Sequence, residues 1–418
     1  MRIAYLTQSY PPMISGAAIS ARQTAESMVG RGHQVLVIAA SERENPYNIY
    51  KENLTVLRLR SIKNPVRVGQ RMLVFPFRPI MNALHRFRPD IIHVHDPVQM
   101  GWFALAYGRR NRIPVVFTAH QLPWAVASYF PKSFKPLIEK ILWMYARWVL
   151  GRYSSVVTPT QTIAEIVKRM SGLQPKVISN GLDLQTFHPP LFLDDGSASR
   201  QKWNLPSRVP LLLHTGRLDS DKKVDQVIRS ASPALRESEA HLVIVGDGCQ
   251  KQSLVQLCRD LGIENRVHFL GFVSVEDGLP EIYRSADIFL TVSEIETQGL
   301  VLLEAAASGL PIVAVNATCI PEIVHDGVNG FLAASGDSAT FSDAIVTLLN
   351  DPECARRMGA EGRILAGKHD FGNTCALHEK LYLDVVKQTY KRRPTEMRKL
   401  FVQWFAQWKI MKSQIGTK

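Results

Sequence analysis

The sequence predicts an α/β protein built from two similar halves, each a parallel sheet with helices on both faces. Three observations predict it. Short apolar runs recur along the chain with longer helical patterns between them. The series pauses in a soft stretch, Pro189 to Asn204, and then starts again. The length of 418 residues is too great for one ordinary core and suits roughly two to three domains.

The elements follow in order. Arg2 to Thr7 reads as a strand, and Ala17 to Gly30 as a helix stopped by glycine. Gln34 to Ala39 and Leu54 to Leu59 are further strands. Asp90 to His95 is a strand behind a proline break, and Val115 to Thr118 and Ser155 to Thr158 continue the series. Beyond the soft stretch, Pro210 to Thr215, His241 to Val245, Val267 to Leu270, Ile288 to Val292 and Ile312 to Val315 read as buried strands. Strand–helix alternation of this kind argues for parallel sheets covered on both faces. The expected division is a first domain over 1–188, a linker over 189–205, a second domain over 206–375, and helices over 376–418 that return toward the first domain.

Composition narrows the class. Hydrophobic residues make up 46% and charged residues 21%, which excludes wholesale disorder. The net charge of +13 admits nucleic acid, an anionic membrane or phosphate-bearing small molecules. Cys249, Cys258, Cys319, Cys354 and Cys375 all lie in the second half, and no two form a C-x-x-C pair. That is neither a disulfide framework nor a zinc site, and it fits a reducing cytosol. No signal-peptide pattern follows Met1, and no apolar run approaches the ~20 residues of a spanning helix. A cytoplasmic protein is expected, soluble or attached at the inner membrane face, so the sequons at Asn53 and Asn316 carry no glycosylation meaning.

In open α/β sheets, ligands bind beyond the carboxyl ends of the strands. His214-Thr-Gly-Arg-Leu-Asp-Ser-Asp-Lys-Lys223 follows such a strand. Arg217 and Lys222 are placed there to meet one anionic group, Arg with a planar fork and Lys with a compact charge. Asp219-Ser-Asp221 is a D-x-D triplet, but it sits among basic residues and reads as a solvated turn rather than a metal site. Val243-Ile-Val-Gly-Asp-Gly248 lacks the third glycine of a dinucleotide fingerprint and reads as a tight strand-to-helix turn. Leu270-Gly-Phe-Val273 follows the next strand and can offer backbone groups to a base edge. In Ser293 to Ala305, Gln298-Gly299 breaks the chain and a helix is expected from about Leu300. Its first N–H groups suit a phosphate. Glu296 and Glu304 flank that helix start and can accept hydrogen bonds from sugar hydroxyls.

These residues resemble a family. Ser179-Asn-Gly-Leu-Asp-Leu-Gln-Thr-Phe187, Gly216-Arg-Leu with Lys222, Val245-Gly-Asp-Gly248, Phe269-Leu-Gly271, the E-x7-E of Glu296 and Glu304, and Pro311-Ile-Val-Ala appear in the order of the retaining family 4 glycosyltransferases of the GT-B fold. The resemblance reaches to about residue 385. It implies two facing Rossmann-like domains with an interdomain cleft. It implies that Arg217 and Lys222 hold a donor diphosphate, that amides near Gly299 and Leu300 reach phosphate, that Glu304 binds ribose hydroxyls, and that Glu296 positions the donor sugar. Lys223 departs from the pattern, which has glycine after the lysine. In the first half, Tyr10-Pro-Pro-Met-Ile-Ser-Gly16 keeps Gly16 for close approach to phosphate and acceptor, with Ser15 in place of a second glycine. His120, in Thr118-Ala-His120, would sit beside the reacting sugar. His93-Val-His95 reads as structural, since no third metal ligand accompanies it.

The resemblance implies transfer of a hexose from a UDP- or GDP-sugar with retained anomeric configuration. The nucleotide-sugar is a substrate, and no metal or other cofactor is expected. The acceptor is a lipid or a saccharide. Glu296-Thr-Gln-Gly-Leu-Val looks like the version in the diacylglycerol glucosyltransferases of the family. Arg58 to Arg88 is rich in arginine with interleaved apolar residues. In the tail, Met397, Phe401, Trp404, Phe405 and Trp408 share one helical side flanked by cations, suited to an anionic membrane or to packing on the first domain. Three rivals remain: an epimerase with the same donor site, a non-catalytic nucleotide-sugar binder, and a nucleic-acid-binding protein. The last has no helix-turn-helix, RNP or zinc pattern to support it, so nucleic acid is not an expected partner.

Overall fold

The computed structural model describes residues 1–391 other than 14, 65–70, 121, 128–129, 132 and 191–195. The aromatic tail over 397–412 therefore lies outside the described residues.

The first half is an eight-stranded sheet. Its order is Lys176–Val177, Ser155–Thr158, Val115–Thr118, Ile91–Val94, Arg2–Leu6, Gln34–Ala40, Leu54–Leu59 and Tyr47–Lys51. All pairs are parallel except the last, where Tyr47–Lys51 folds back on Leu54–Leu59. The central strands Arg2–Leu6 and Gln34–Ala40 are almost wholly buried. They read as unbroken apolar runs because both faces are covered. One face packs the helices Phe77–Phe87 and Gln99–Asn111. The other packs Gly16–Gly30 and the long C-terminal helix Phe371–Lys391, whose Tyr382, Val385 and Val386 join the core of Ile3, Tyr5 and Val37.

The second half is a six-stranded parallel sheet in the order Val267–Gly271, His241–Val245, Leu211–Thr215, Ile288–Thr291, Ile312–Val315 and Gly330–Ala333. It has its own core. The chain crosses between the cores around Gly181: Ile178 packs in the first, Leu182 and Phe187 in the second. Ser197–Lys202, inside the stretch that reads as a linker, is a short helix. Its buried Arg200 donates to the Ser285 carbonyl at 2.8 Å and pairs with Asp287 at 3.1 Å.

Both sheets reverse their order of winding beside the first strand. In the first half this happens between Arg2–Leu6 and Ile91–Val94, in the second between Leu211–Thr215 and Ile288–Thr291. Loops diverge at such points and leave a crevice for ligand.

Candidate functional site

The loop leaving Leu211–Thr215 carries Arg217 and Lys222. It is seated on the neighbouring strand: Gly216 N–H donates to Val245 O at 3.0 Å and Leu218 N–H to Asp247 O at 2.9 Å. A Cβ on Gly246 would overlap the Gly216 carbonyl, and one on Gly248 would press on Leu218. The G-x-G turn is thus a platform that lets the basic loop lie close. The Arg217 guanidinium is held by Asp219 and, at 2.9 Å, by Asp221. Both acids of the D-x-D triplet are engaged by this arginine. Lys222 Nζ lies 2.5 Å from Glu296 and 3.3 Å from Ser293 Oγ. Lys223 turns to Glu294 at 2.6 Å instead. Its φ of 51° is in the left-handed region, where glycine is the easier residue.

The loop leaving Ile288–Thr291 carries Glu296 and ends at Gly299, φ 77°, where the helix Leu300–Ala307 begins. Leu302 and Leu303 N–H donate to Gly299 O at 2.9 and 3.3 Å, and a helix start of this kind leaves its first N–H groups without intrahelical acceptors. Glu304, one turn in, accepts from Tyr283 Oη at 2.7 Å, and Tyr283 in turn shares a 2.5 Å hydrogen bond with Thr215. Protein packed round the Glu304 carboxyl pushes its pKa up to about 7, with the Tyr283 hydrogen bond opposing the rise. Gly271 O accepts from Gly246 N–H at 2.7 Å, so this carbonyl supports the turn.

Across the crevice, the helix Gly16–Gly30 starts opposite. A Cβ on Gly16 would lie 3.6 Å from Leu300 Cδ1, so the first residues of two helices from the two halves lie side by side. Ser15 caps the first of them, its Oγ accepting from Ala18 N–H at 3.1 Å. Its φ of −164° is extended and asks for no glycine. Arg58 is buried beneath this loop and donates to the Tyr10 and Ala40 carbonyls at 3.2 and 3.1 Å. It is a strut of the loop rather than part of a solvated basic face.

His120 Nε2 lies 2.7 Å from His95 Nδ1, with the rings stacked 4.9 Å apart. His93 bonds Tyr382 Oη at 2.6 Å and Thr118 Oγ1 at 2.7 Å. Burial lowers all these histidines, His120 to about 4. At neutral pH they are uncharged hydrogen-bonding groups. Among the described residues, no group of three or more His, Cys, Asp or Glu is placed to hold a metal ion.

Comparison with known proteins bears on this geometry. A family model described as Glycosyltransferase Family 4 matches residues 14–186. One described as Glycosyl transferases group 1 matches residues 195–364. An uncharacterised glycosyltransferase of Methanocaldococcus jannaschii is 30% identical over 347 residues, which cover 79% of this chain and 84% of that protein. The chain belongs to the family 4 glycosyltransferases. The α-monoglucosyldiacylglycerol synthase of Streptococcus pneumoniae is 25% identical over 391 residues, 92% of this chain and 86% of that one. Among solved structures, sucrose-phosphate synthase from Thermosynechococcus elongatus aligns with a TM-score of 0.76 at 21% identity, over 92% of this chain and 99% of that one. That likeness gives the fold, GT-B, as the sequence leads one to expect.

In this glycosyltransferase, Gly16 of the first half comes beside Leu300 of the second, Lys222 meets Glu296, and the His120 carbonyl accepts from Thr297, the residue after Glu296. Sequence reasoning missed what joins the halves. Thr297 Oγ1 donates to His120 O at 3.2 Å, and Thr160 Oγ1 donates to Thr297 O at 2.9 Å. Gln298 accepts from Asn180 N–H and Nδ2 at 2.9 and 2.7 Å and donates to Ser179 Oγ at 2.5 Å. Three consecutive residues thus face three ways: Glu296 to the basic loop, Thr297 to the first domain, Gln298 to the crossover. The Ser179-Asn180 motif carried a signal for the last contact. Tyr283 and His95 carried none beyond their residue type.

Proposed function

We propose that this enzyme is a retaining hexosyltransferase, moving a hexose from a UDP- or GDP-linked donor to a hydroxyl of a membrane lipid or lipid-linked glycan at the inner membrane face. The observation that carries the donor half is the pairing of Lys222 with Glu296 beside the start of the Leu300–Ala307 helix, opposite Gly16. A cation, a helix N-terminus and two carboxylates in one crevice suit a sugar diphosphate. Arg217 and Lys222 take the diphosphate, the Gly299–Leu300 turn a phosphate oxygen, Glu304 the ribose hydroxyls and Glu296 the sugar.

Glu296 is engaged with Lys222 and Ser293, and Glu304 with Tyr283, so neither carboxylate is poised as a nucleophile. Transfer is therefore assigned to the front face. The acceptor oxygen bonds to C1 on the side from which the diphosphate departs. The C1–O bond to phosphate breaks, and the hydroxyl proton passes to the departing phosphate oxygen. Arg217, Lys222 and the helix amides meet the developing charge. Neutral His120 holds a sugar or acceptor hydroxyl from the facing domain. No resident metal is assigned, because Asp219 and Asp221 are occupied by Arg217.

The name of the pneumococcal relative supports a diacylglycerol-type acceptor. The test is a screen of UDP- and GDP-hexoses against lipid vesicles and soluble saccharides, with the product's anomeric configuration read by NMR. The expected result is an α-linked glycolipid, unaffected by EDTA and reduced about a hundredfold or more by Arg217→Ala. Inverted product, saccharide-only transfer or a fully active Arg217→Ala would each remove its part of the proposal.

A further inference from the structure

The helix Lys135–Leu150 buries little besides Val149 and Leu150. Phe134, Leu137, Ile141, Met144 and Trp148 are exposed at 58%, 58%, 52%, 62% and 45%. Their spacing alternates between three and four residues, so they form a single stripe along the helix. Contiguous exposed apolar surface of this kind marks an interaction site.

The stripe runs on to the cleft rim. The Trp148 ring lies 5.3 Å from Trp102, itself half exposed on the helix Gln99–Asn111. Trp102 Nε1 donates to Tyr145 Oη at 2.8 Å, and Tyr145 donates to the Pro97 carbonyl at 2.7 Å. Pro97 lies just beyond His95, the partner of His120. Farther along the same helix, Arg109 and Arg110 line an open groove of about 560 Å³ with Phe77, Met81 and Tyr107.

Charge selects the occupant. Lys135, Lys140 and Arg147 are exposed on the striped helix against one acid, Glu139. Arg152 lies over the Trp148 ring at 3.7 Å. A second copy of the chain would set these cations against their own kind. An anionic lipid surface accepts both features, apolar side chains at the acyl boundary and cations among the headgroups.

We infer that this face lays the first domain on an anionic bilayer. The inference rests on the proposed lipid acceptor, and it gives that acceptor a path: the bilayer surface meets the cleft beside Pro97.

The test uses the full chain and vesicles of phosphatidylcholine, alone or mixed with phosphatidylglycerol, read by co-sedimentation. Wild-type protein is expected to bind the mixed vesicles. The variant Leu137→Glu/Ile141→Glu/Met144→Glu is expected to lose about tenfold or more in binding with an unchanged melting temperature, since all three residues are exposed. The variant Lys140→Glu/Arg147→Glu is expected to lose the preference for anionic lipid. Undiminished binding by the triple variant overturns the inference. So does binding that vanishes instead with Trp404→Glu/Trp408→Glu, which would make the tail the anchor. A dimer that the triple variant dissolves, without vesicle binding, would make a second copy the occupant. The acceptor reading is separated by transfer to a short-chain diacylglycerol in detergent micelles. If docking alone is wrong, wild type and triple variant both transfer there and bind vesicles alike. If the acceptor alone is wrong, wild type binds vesicles but glycosylates no lipid.

Discussion

The carboxylate of Glu322 caps a helix that belongs to the other domain, accepting Thr162 N–H at 2.6 Å and the adjacent Gln161 N–H at 2.9 Å. The helix Gln161–Ser171 has Thr160 at its N-cap, but the Thr160 hydroxyl does not cap it and bonds to Thr297 O. Its first N–H groups therefore find this acceptor only when the two domains are together. A carboxylate there also meets the positive end of the helix dipole.

Glu322→Ala should loosen the domains without unfolding either. A lost cap costs about 0.5–2 kcal/mol, and here that cost falls on the closed arrangement alone. The expected result is a severalfold fall in kcat/KM and a larger radius of gyration in solution scattering, with Glu322→Gln intermediate. Unchanged kinetics and scattering in the alanine variant would show that the cap does not hold the cleft closed.

Donor binding should follow the ionisation of Glu304. Burial pushes this carboxyl up to about 7, and a carboxylate accepts two ribose hydroxyls where a neutral acid cannot. In the free enzyme the raised value means that Glu304's contribution to stability is present below its unfolded value and is lost as pH rises through about 7. Donor affinity moves the other way, rising with pH and levelling off above about 7. Below that it falls toward tenfold per pH unit. Tyr283 donates to the carboxylate and holds the value down, so Tyr283→Phe should move the midpoint upward. Calorimetric titration with the nucleotide diphosphate across this range reads it. Identical profiles for wild type and Tyr283→Phe would sink the assignment, and Glu304→Gln should give a flat profile.

Much of the fold was legible because buried parallel strands leave continuous apolar runs. Leu54–Leu59, Val115–Thr118, His241–Val245 and Ile312–Val315 are found with the bounds their sequence suggests. Tyr47–Lys51 was not legible, since an exposed antiparallel edge strand needs no such run. Gly330–Ala333 begins at a glycine whose Cβ would strike Ile312 O, a constraint visible only in the sheet. In the candidate site, Lys222 and Glu296 lie in segments that follow strand ends and Glu304 lies one turn into the Leu300–Ala307 helix, where the sequence places them. Glu322, Thr297 and Tyr283 act through contacts distant in sequence, which no local pattern announces. The stripe from Phe134 to Trp148 has helical spacing in the sequence, but only the structure shows that it faces outward.

Acid should destabilise the first domain through a buried histidine cluster. His93 lies 4.4 Å from His95 and 5.7 Å from His378 between ring centroids, and His95 stacks on His120. His93, His95 and His378 are buried, His120 is partly buried, and all four are uncharged at neutral pH. His120 and His378 are lowered to about 4, and His93 and His95 fall well below the usual histidine value, each chiefly by desolvation. For a lowered histidine, the unfolded chain takes up the proton first. The stability these groups contribute is therefore full above their unfolded value of about 6.5, and is lost as pH falls toward about 4. At pH 5, His120 and His378 should each cost about 2 kcal/mol, a large share of the stability of an ordinary domain. His378 stands on the C-terminal helix with its Nδ1 buried and without a hydrogen-bond partner among the described residues. His378→Met should keep stability at pH 7 and reduce the acid slope by about 1.4 kcal/mol per pH unit. Urea unfolding of the first domain, followed from about pH 7 to about pH 5, distinguishes the outcomes. Parallel slopes for wild type and His378→Met would mean that the cluster takes up its protons while still folded.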